Sequence, residues 1–279
     1  MINSILHIYK KNFGTDMPYI DYLLFILLGM GSGLLAGLLG IGGGIVIVPA
    51  LFFLFHALDF APDTLMQLSV GTSLATMVIT TSASAFVHYR RRSIIWAYTI
   101  SFFPGILIGC IGGVILADYL HSMILAKVFG IFAILLGLYF LVFKKPHFHF
   151  GRPQAVKLSS LGTVVGFLSS LLGIGGGTII VPILIGFSIP MKSAAGISSA
   201  ATFFVSVVGT VAYYIAGLDE SHIHNALGYI YLPAFALISM GTLLTVSYGV
   251  KLAHKVHTEI LKKIFSLLLI ATGILMFFH

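Results

Sequence analysis

Apolar residues run through this chain in continuous blocks of about 20 residues, the length that crosses roughly 30 Å of hydrocarbon as a helix. Short polar segments separate the blocks between Tyr22 and Phe278. Within each block the apolar positions do not alternate with polar ones, so the blocks do not match strands with one solvated face. The pattern predicts an all-α polytopic membrane protein whose outer surface contacts the lipid bilayer.

Two of these blocks are interrupted by glycine. Residues 33–49 read GLLAGLLGIGGGIVIVP and residues 166–182 read GFLSSLLGIGGGTIIVP, with 12 of 17 positions identical. The similarity continues downstream at three matched pairs: Gly71 and Gly196, Pro104 and Pro233, and Ile124 and Ile260. The chain therefore consists of two homologous repeats, each a Gly-broken segment followed by three spans. This arrangement gives about eight full-length helices or up to ten segments.

The repeats set the predicted domain boundaries. Residues 1–19 form an N-terminal segment whose apolar residues fit one face of a short interfacial helix. Repeat 1 covers residues 20–143 and repeat 2 covers residues 158–279. Between them, residues 144–157 read KKPHFHFGRPQAVK, a polar basic linker expected on the cytoplasmic face.

A Gly-broken segment either crosses the membrane once as a broken helix or returns to its starting face as a hairpin. In the second copy about 16 residues precede the glycines and about 11 follow them, so neither arm is expected to span the hydrocarbon. Lys and Arg accumulate on the cytoplasmic side of membrane proteins. Hairpins with an outside N-terminus leave only three of the 15 basic residues on the outer side, namely Lys10, Lys11 and Lys127. The charges therefore favour hairpins and two repeats of opposite orientation.

The glycine runs are the first candidate site. Unwound backbone is tolerated inside a membrane only where it is buried in protein or lines a wet cavity. Gly-broken segments at matching positions of an inverted repeat indicate a transporter's binding site. We expect the two tips to meet near the midplane, where freed N–H groups and the N-terminal ends of the following half-helices attract an anion. The expected binding glycines are Gly40, Gly42, Gly43, Gly44, Gly173, Gly175, Gly176 and Gly177.

Close helix packing is the alternative role for glycine in a membrane. Three adjacent glycines point to several faces of a helix, so this role explains the GIGGG runs poorly. It is the role predicted for two other sets at four-residue spacing: Gly29, Gly33 and Gly37, and Gly105, Gly109 and Gly113.

Hydroxyl residues crowd the spans that follow the glycines. Four of them are candidate substrate contacts: Thr72 and Ser73 in the first repeat, and Ser198 and Ser199 in the second. A hydroxyl can donate a hydrogen bond to an oxyanion without the cost of burying a full charge. The alternative is that each hydroxyl donates to a carbonyl one turn earlier in its own helix.

Composition narrows the functional classes. The chain is 58% hydrophobic and 8% charged with a mean hydropathy of +1.08, whereas a soluble domain is about 25% charged. The net charge of +7 comes from clusters between spans, as in cytoplasmic loop anchors, so no nucleic-acid partner is expected. No Asp, Glu, Lys or Arg lies deep in a span, which disfavours a carboxylate-built cation site.

No enzyme activity, cofactor or metal site is predicted. The sequence offers no paired intramembrane Asp, no HExxH motif and no Ser/His pair. The motifs HFH at His147–His149 and HIH at His222–His224 supply two histidines each, fewer than a zinc site needs. Cys110 lies within an apolar run and is expected to serve packing.

The duplicated GLLGIGGG…VP motif, Gly37 to Pro49 and again as SLLGIGGG…VP from Ser170 to Pro182, resembles the sulfite exporter TauE/SafE family. Members of this family are also called 4-toluenesulfonate uptake permeases. The length of 279 residues and the internal duplication agree with that resemblance. It implies movement of small sulfur-containing anions, such as sulfite, thiosulfate or organosulfonates, across the bacterial inner membrane.

Together these observations predict a secondary transporter with alternating access to an anion site at the two tips. An anion channel with the same site is the first alternative, and a non-transporting membrane scaffold is the second. The sequence leaves the oligomeric state open, with a homodimer as the candidate assembly.

Overall fold

The computed structural model of the protein describes residues 19–39, 42–142, 151, 153–219, 225–253 and 258–278. Several predictions concern residues outside these ranges. They are the N-terminal interfacial segment, most of the 144–157 linker, Gly40, and the histidines of the HFH and HIH motifs.

The described residues form ten helices and one short β-hairpin. The helices of the first repeat are α1 (Tyr19–Leu39), α2 (Gly44–Ala57), α3 (Leu65–Arg90), α4 (Trp96–Tyr119) and α5 (Ser122–Val142). Those of the second are α6 (Ala155–Leu172), α7 (Gly177–Gly186), α8 (Met191–Ala216), α9 (Leu232–Ala253) and α10 (Thr258–Phe278). Strands β1 (Ala226–Leu227) and β2 (Ile230–Tyr231) pair antiparallel just before α9. The predicted all-α fold class is confirmed.

Six of the ten described helices are long and apolar enough to cross a bilayer: α3, α4, α5, α6, α8 and α9. The chain is therefore a multi-pass membrane protein. The inclusion of α6 corrects one expectation, that neither arm of the second Gly-broken segment could span. Helix α6 has 18 residues because it begins at Ala155, inside the segment assigned to the linker.

Both glycine runs turn the chain back on itself. A methyl group placed on Gly43 would lie 3.4 Å from the Cβ of Ala36 and from the backbone oxygen of Ser32. Gly43 therefore lies beside the end of α1 and not beyond it. Farther from the tip, the rings of Phe25 in α1 and Phe55 in α2 are 6.3 Å apart between centroids. Helices α1 and α2 are the two arms of a hairpin.

The second glycine run repeats this geometry. A methyl group on Gly176 would lie 3.1 Å from Cγ1 of Val165 and 3.6 Å from Oγ of Ser169. Val165 and Ser169 align with Ser32 and Ala36, so the chain turns back at the same place in both repeats. The hairpin interpretation is confirmed and the single broken helix is excluded.

The two repeats exchange their first arms. Helix α1 packs along α9, with Gly29 against the backbone of Ile238 and Gly33 against that of Thr242. Helix α6 packs in the equivalent way along α4, where Gly105 and Gly109 contact the backbone of Thr163. A side chain at any of these four glycines would overlap the partner helix, so the packing role predicted for them is confirmed. Cys110 is buried in the same interface, as predicted.

Equivalent helices of the two repeats run antiparallel, which shows that the repeats are inverted. In α3 and α8, Ser84 pairs with Ser199, whereas Leu74, nearer the start of α3, contacts Gly209, nearer the end of α8. In α5 and α10, Phe140 stacks against Phe265 and Gly130 contacts Gly273. A pseudo-twofold axis across the bundle, perpendicular to the helices, explains both antiparallel pairs.

The two ends of the bundle differ in character. The end that holds the Arg90–Arg92 loop is called the arginine side. The opposite end is called the tyrosine side, because the segment Asn225–Tyr231 folds into it. There the buried Tyr231 ring lies 5.2–6.2 Å from the rings of Phe25, Phe55 and Phe60. Burial, with the neighbouring Tyr22 and Asp21, raises the pKa of Tyr231 to about 12, so its hydroxyl stays protonated.

Candidate functional site

The two hairpin tips meet halfway along the central helices. A methyl group on Gly44 of the first tip would overlap both the carbonyl oxygen of Gly173 in the second tip and Sδ of Met77. One on Gly42 would lie 3.0 Å from Cε of Met77 and 3.8 Å from Cγ2 of Thr202. Met77 and Thr202 lie near the middle of α3 and α8, each of 26 residues. The expected meeting of the tips near mid-depth is thus observed.

The backbone explains why glycine occupies the first tip. Gly42 and Gly43 adopt φ angles of +84° and +82° in succession, a left-handed conformation that costs an L-amino acid roughly 1–2 kcal/mol per residue. The second tip differs in detail. Gly173 ends α6 at φ +65°, but Gly176 has φ −54°, which any residue can adopt. At Gly176 only crowding opposes a side chain, because a methyl group would lie 3.0 Å from Cδ1 of Ile180 and 3.1 Å from Cγ1 of Val165.

A helix begins at each tip. Gly43 and Gly176 are the N-caps of α2 and α7, and neither receives a side-chain capping bond. The carbonyl of Gly43 accepts from Val46 and Ile47, as that of Gly176 accepts from Ile179 and Ile180. The N–H groups of the residues before Val46 and Ile179 have no carbonyl one turn earlier in the helix to accept their hydrogen bonds. Two helix N-termini with partial positive charge therefore lie at the centre of the protein.

Three buried hydroxyls have no hydrogen-bond partner in the structure as described: Ser169 beside Gly176, Thr202 beside Gly42, and Ser198 in the same helix as Thr202. Their side chains are 0–3% exposed. Ser198 and Thr202 lie one turn apart on the same face of α8. An unsatisfied buried hydroxyl costs about 1–3 kcal/mol, so these three groups are the hydroxyls near the tips that can still bond to a ligand.

Of these three hydroxyls, Ser198 is among the predicted candidates, whereas Thr202 and Ser169 are not. Thr202 lies in the same hydroxyl-bearing helix as Ser198. Ser169 of the second repeat aligns with Ala36 of the first. This replacement of an alanine by a hydroxyl residue was the sequence signal that could have identified Ser169.

The other predicted hydroxyls already have partners. Ser73 Oγ donates to the carbonyl of Gly173 at 3.2 Å and so joins α3 to the second tip. Thr72 Oγ1 accepts the backbone N–H of Tyr231 at 2.9 Å, toward the tyrosine side. Ser199 Oγ lies 3.2 Å from Ser84 Oγ on the arginine side of the tips. These three residues therefore join α3 and α8 to each other, to the second tip and to the Tyr231 segment.

Several neighbouring hydroxyls instead form the intrahelical hydrogen bond that was the alternative to substrate binding. Four of them donate to carbonyls three or four residues earlier in their own helix: Ser69, Thr76, Thr80 and Ser206. Of the predicted glycines, Gly40 lies outside the described residues, while Gly175 and Gly177 lie in the second tip between Ile174 and the first turn of α7.

No cluster of three or more His, Cys, Asp or Glu side chains suited to a metal ion occurs within the described ranges. A cavity of about 300 Å³ lies away from the tips, between the arms of the second hairpin on the arginine side. Lys157, Ser160, Leu161 and Phe187 line it. The candidate site therefore consists of the tips and the α3 and α8 side chains that face them.

Comparison with known proteins agrees with this architecture. The family model of the sulfite exporter TauE/SafE matches residues 25–276. The chain belongs to this family. A probable membrane transporter protein of Haemophilus influenzae is 35% identical over 258 residues, covering 91% of this chain and 97% of the relative. One of Methanocaldococcus jannaschii is 32% identical, covering 91% and 94%. No solved structure matches the chain significantly.

A third relative, the probable membrane transporter protein YunE of Bacillus subtilis, is 29% identical over 274 residues, covering 91% of this chain and 96% of the relative. All three relatives are named probable membrane transporter proteins, and the similarity covers almost their full length. The protein is accordingly a membrane transporter of the TauE/SafE family.

Proposed function

We propose that the protein is a secondary carrier for a small sulfur-containing anion of the sulfite, thiosulfate or organosulfonate class. The substrate binds between the two hairpin tips, and the protein works in the inner membrane of a bacterial cell with the arginine side in the cytoplasm. The observation that carries the proposal is the set of buried hydroxyls without partners beside the tips.

The chemistry of the tips suits an oxyanion. Hydroxyl groups and backbone N–H groups donate hydrogen bonds, and two helix N-termini add partial positive charge without a buried cation. Glycine at Gly42 and Gly44 leaves no Cβ where the first tip approaches Met77 and the second tip, so the two tips can lie close together. The name of the sulfite exporter family supports sulfur oxyanions as the substrate class. Chemistry supports the same class, since the oxygens of such an anion can accept several of these hydrogen bonds at once.

The inverted repeat supports alternating access. Inverted repeats can exchange conformations, so that a site on the pseudo-twofold axis opens to each face in turn. In the present conformation the tyrosine side is closed: Tyr213, Tyr229 and Tyr231 are all at most 4% exposed. On the arginine side, the Ser84 and Ser199 hydroxyls are only partly buried.

A flux assay in proteoliposomes separates the carrier from its alternatives. A carrier saturates with substrate and shows counterflow of labelled sulfite or methanesulfonate against an unlabelled gradient. An anion channel gives sustained current under voltage and no counterflow. A scaffold protein gives neither, and that result would overturn the proposal.

Binding can be tested on purified protein with sulfite, thiosulfate, sulfate, taurine, sulfoacetate and chloride. A ligand that binds only the folded state at a hundredfold excess over its Kd stabilises it by about 2.7 kcal/mol. We expect a rise in Tm with sulfur oxyanions that is absent with chloride. Equal shifts with every anion would contradict the proposed substrate class.

A further inference from the structure

The two halves of the site differ, although the pseudo-twofold axis relates them. Position Ser73 of α3 aligns with Ser198 of α8, and Met77 aligns with Thr202. The first pair is chemically alike and the second is not. At the centre of the protein, one repeat therefore presents a thioether where the other presents a hydroxyl.

Hydrogen-bonding capacity is concentrated on the α8 side. Ser198 Oγ and Thr202 Oγ1 are buried and free of partners in the structure as described. On the α3 side, the hydroxyl of Ser73 already donates its hydrogen bond to the carbonyl of Gly173. A substrate oxygen that needs a donor finds one on α8.

The α3 side offers an apolar, polarisable surface instead. Met77 is fully buried, with its Sδ against Gly44 and its terminal Cε against Gly42, so its thioether covers the first tip. A thioether sulfur donates no hydrogen bond and accepts only weakly, but it packs well against methyl groups and sulfur. An anion oxygen pointed at Met77 would lose its water partners and gain nothing in return.

We infer that Met77 is a specificity-determining residue that fixes the orientation of the bound anion. The substrate directs its oxygens at Ser198 and Thr202 and its non-oxygen substituent at Met77. The site thus prefers a sulfonate, with one carbon on sulfur, over the fully oxygenated sulfate ion. This inference rests on the proposed function, because it requires that the anion binds between the tips.

The test measures a ratio of affinities on the purified full chain. Methanesulfonate and sulfate are the probes, since they differ by one methyl group in place of one oxygen. Met77→Thr gives α3 the hydroxyl that α8 has at the equivalent position. We expect it to lower the preference for methanesulfonate over sulfate by about tenfold or more, because one hydrogen bond to a charged group changes affinity by at least about that factor.

A matched control is available on the same helix. Met66 is also fully buried, but its backbone N–H bonds to Ser122 at the tyrosine end of α3, away from the tips. Met66→Thr makes the same chemical change and is expected to lower stability without changing the affinity ratio. If Met77→Thr does not fold, Met77→Gln keeps the side-chain length while adding an N–H donor, and it should change the ratio in the same direction.

The possible results separate the two proposals. An unchanged ratio in a folded Met77 variant, with both probes still binding to the wild type, overturns the role of Met77 and leaves the anion site in place. An equal change in Met66→Thr overturns it as well, because the effect would then be general. Binding of neither probe to the wild type overturns this inference, and the proposed function falls with it only if sulfite and thiosulfate do not bind either.

Discussion

Thr81 and Ser206 occupy equivalent positions in the two repeats, and their hydroxyl oxygens lie 3.3 Å apart. A residue that contacts its own equivalent marks the point where the pseudo-twofold axis passes between α3 and α8. Contacts away from the axis are expected to occur as counterpart pairs on its two sides. The pair Ser84 and Ser199 has its counterpart in Gly209 and Leu74.

These two counterpart pairs differ in polarity. Ser84 and Ser199 join α3 to α8 by a hydroxyl contact of 3.2 Å, partly exposed on the arginine side. Leu74 lies against Gly209 in a fully apolar contact on the tyrosine side. Under the proposed alternating access, opening the arginine side would break a weak polar contact, whereas opening the tyrosine side would break an apolar, close-packed contact.

A disulfide between Ser84→Cys and Ser199→Cys should stop transport. Their hydroxyl oxygens are close enough for an oxidised cysteine pair to form, and the bond would hold α3 and α8 together on the arginine side. We expect substrate counterflow to fall to background after oxidation and to return after reduction. The only native cysteine, Cys110, is buried, so each single-cysteine variant serves as the control and should not respond to oxidant. Undiminished counterflow in the cross-linked protein would show that this interface does not open.

Alanine at Gly43 should harm the protein more than alanine at Gly176. Gly43 has φ +82°, so a side chain there is strained by about 1–2 kcal/mol regardless of space. At Gly176 the new methyl group would meet only the ends of Ile180 and Val165, which can shift. We expect a lower Tm and a larger loss of transport for Gly43→Ala.

The control for these glycine variants is Gly31→Ala, since a methyl group there meets nothing within 4 Å. It should leave Tm and transport at wild-type levels or raise Tm slightly. Equal effects of Gly43→Ala and Gly176→Ala would mean that backbone strain is not what matters at the tips.

Removing a hydroxyl that has no partner should weaken binding without weakening the fold. Ser198→Ala and Thr202→Val each delete a buried group that makes no bond to any described residue. We expect the free energy of unfolding to stay unchanged or to rise, and sulfite or methanesulfonate affinity to fall about tenfold or more, since a hydrogen bond to a charged group contributes about 1.5–3 kcal/mol. Loss of stability with unchanged affinity would place both hydroxyls in the core and not in the site.

Thr72→Val should show the opposite behaviour. This substitution leaves the buried N–H of Tyr231 without its acceptor, which costs about 1–3 kcal/mol. We expect a lower free energy of unfolding in detergent and little change in the affinity of the folded protein for anions. A large loss of affinity at unchanged stability would instead make Thr72 a substrate contact.

The sequence carried enough information to predict the inverted hairpins. The repeated GIGGG runs placed the breaks, and the distribution of Lys and Arg distinguished hairpins from single crossings. The spacing of Gly29 and Gly33 predicted a close helix contact, although not that the partner would be α9 of the other repeat. These features are local or periodic, which is why a single sequence reveals them.

The roles of individual hydroxyls could not be predicted in the same way. Thr72 and Ser198 look alike in the sequence, yet one bonds to a backbone group 159 residues away and the other has no partner. The sequence also does not show that the segment Asn225–Tyr231 is not helical. The equivalent of Tyr231 in the first repeat, Phe102, lies within helix α4. Both outcomes depend on contacts between distant segments, and these override local preference.

The exchanged first arms also constrain how the protein is made. Helix α1 emerges from the ribosome long before α9, the helix against which Gly29 and Gly33 pack. Until α9 is synthesised, that glycine surface has only lipid or an interim partner beside it. Neither repeat alone contains the helix against which its first arm packs. Two copies of one repeat, inserted in opposite directions, could each provide that helix for the other. The geometry is therefore that of an antiparallel dimer joined into one chain.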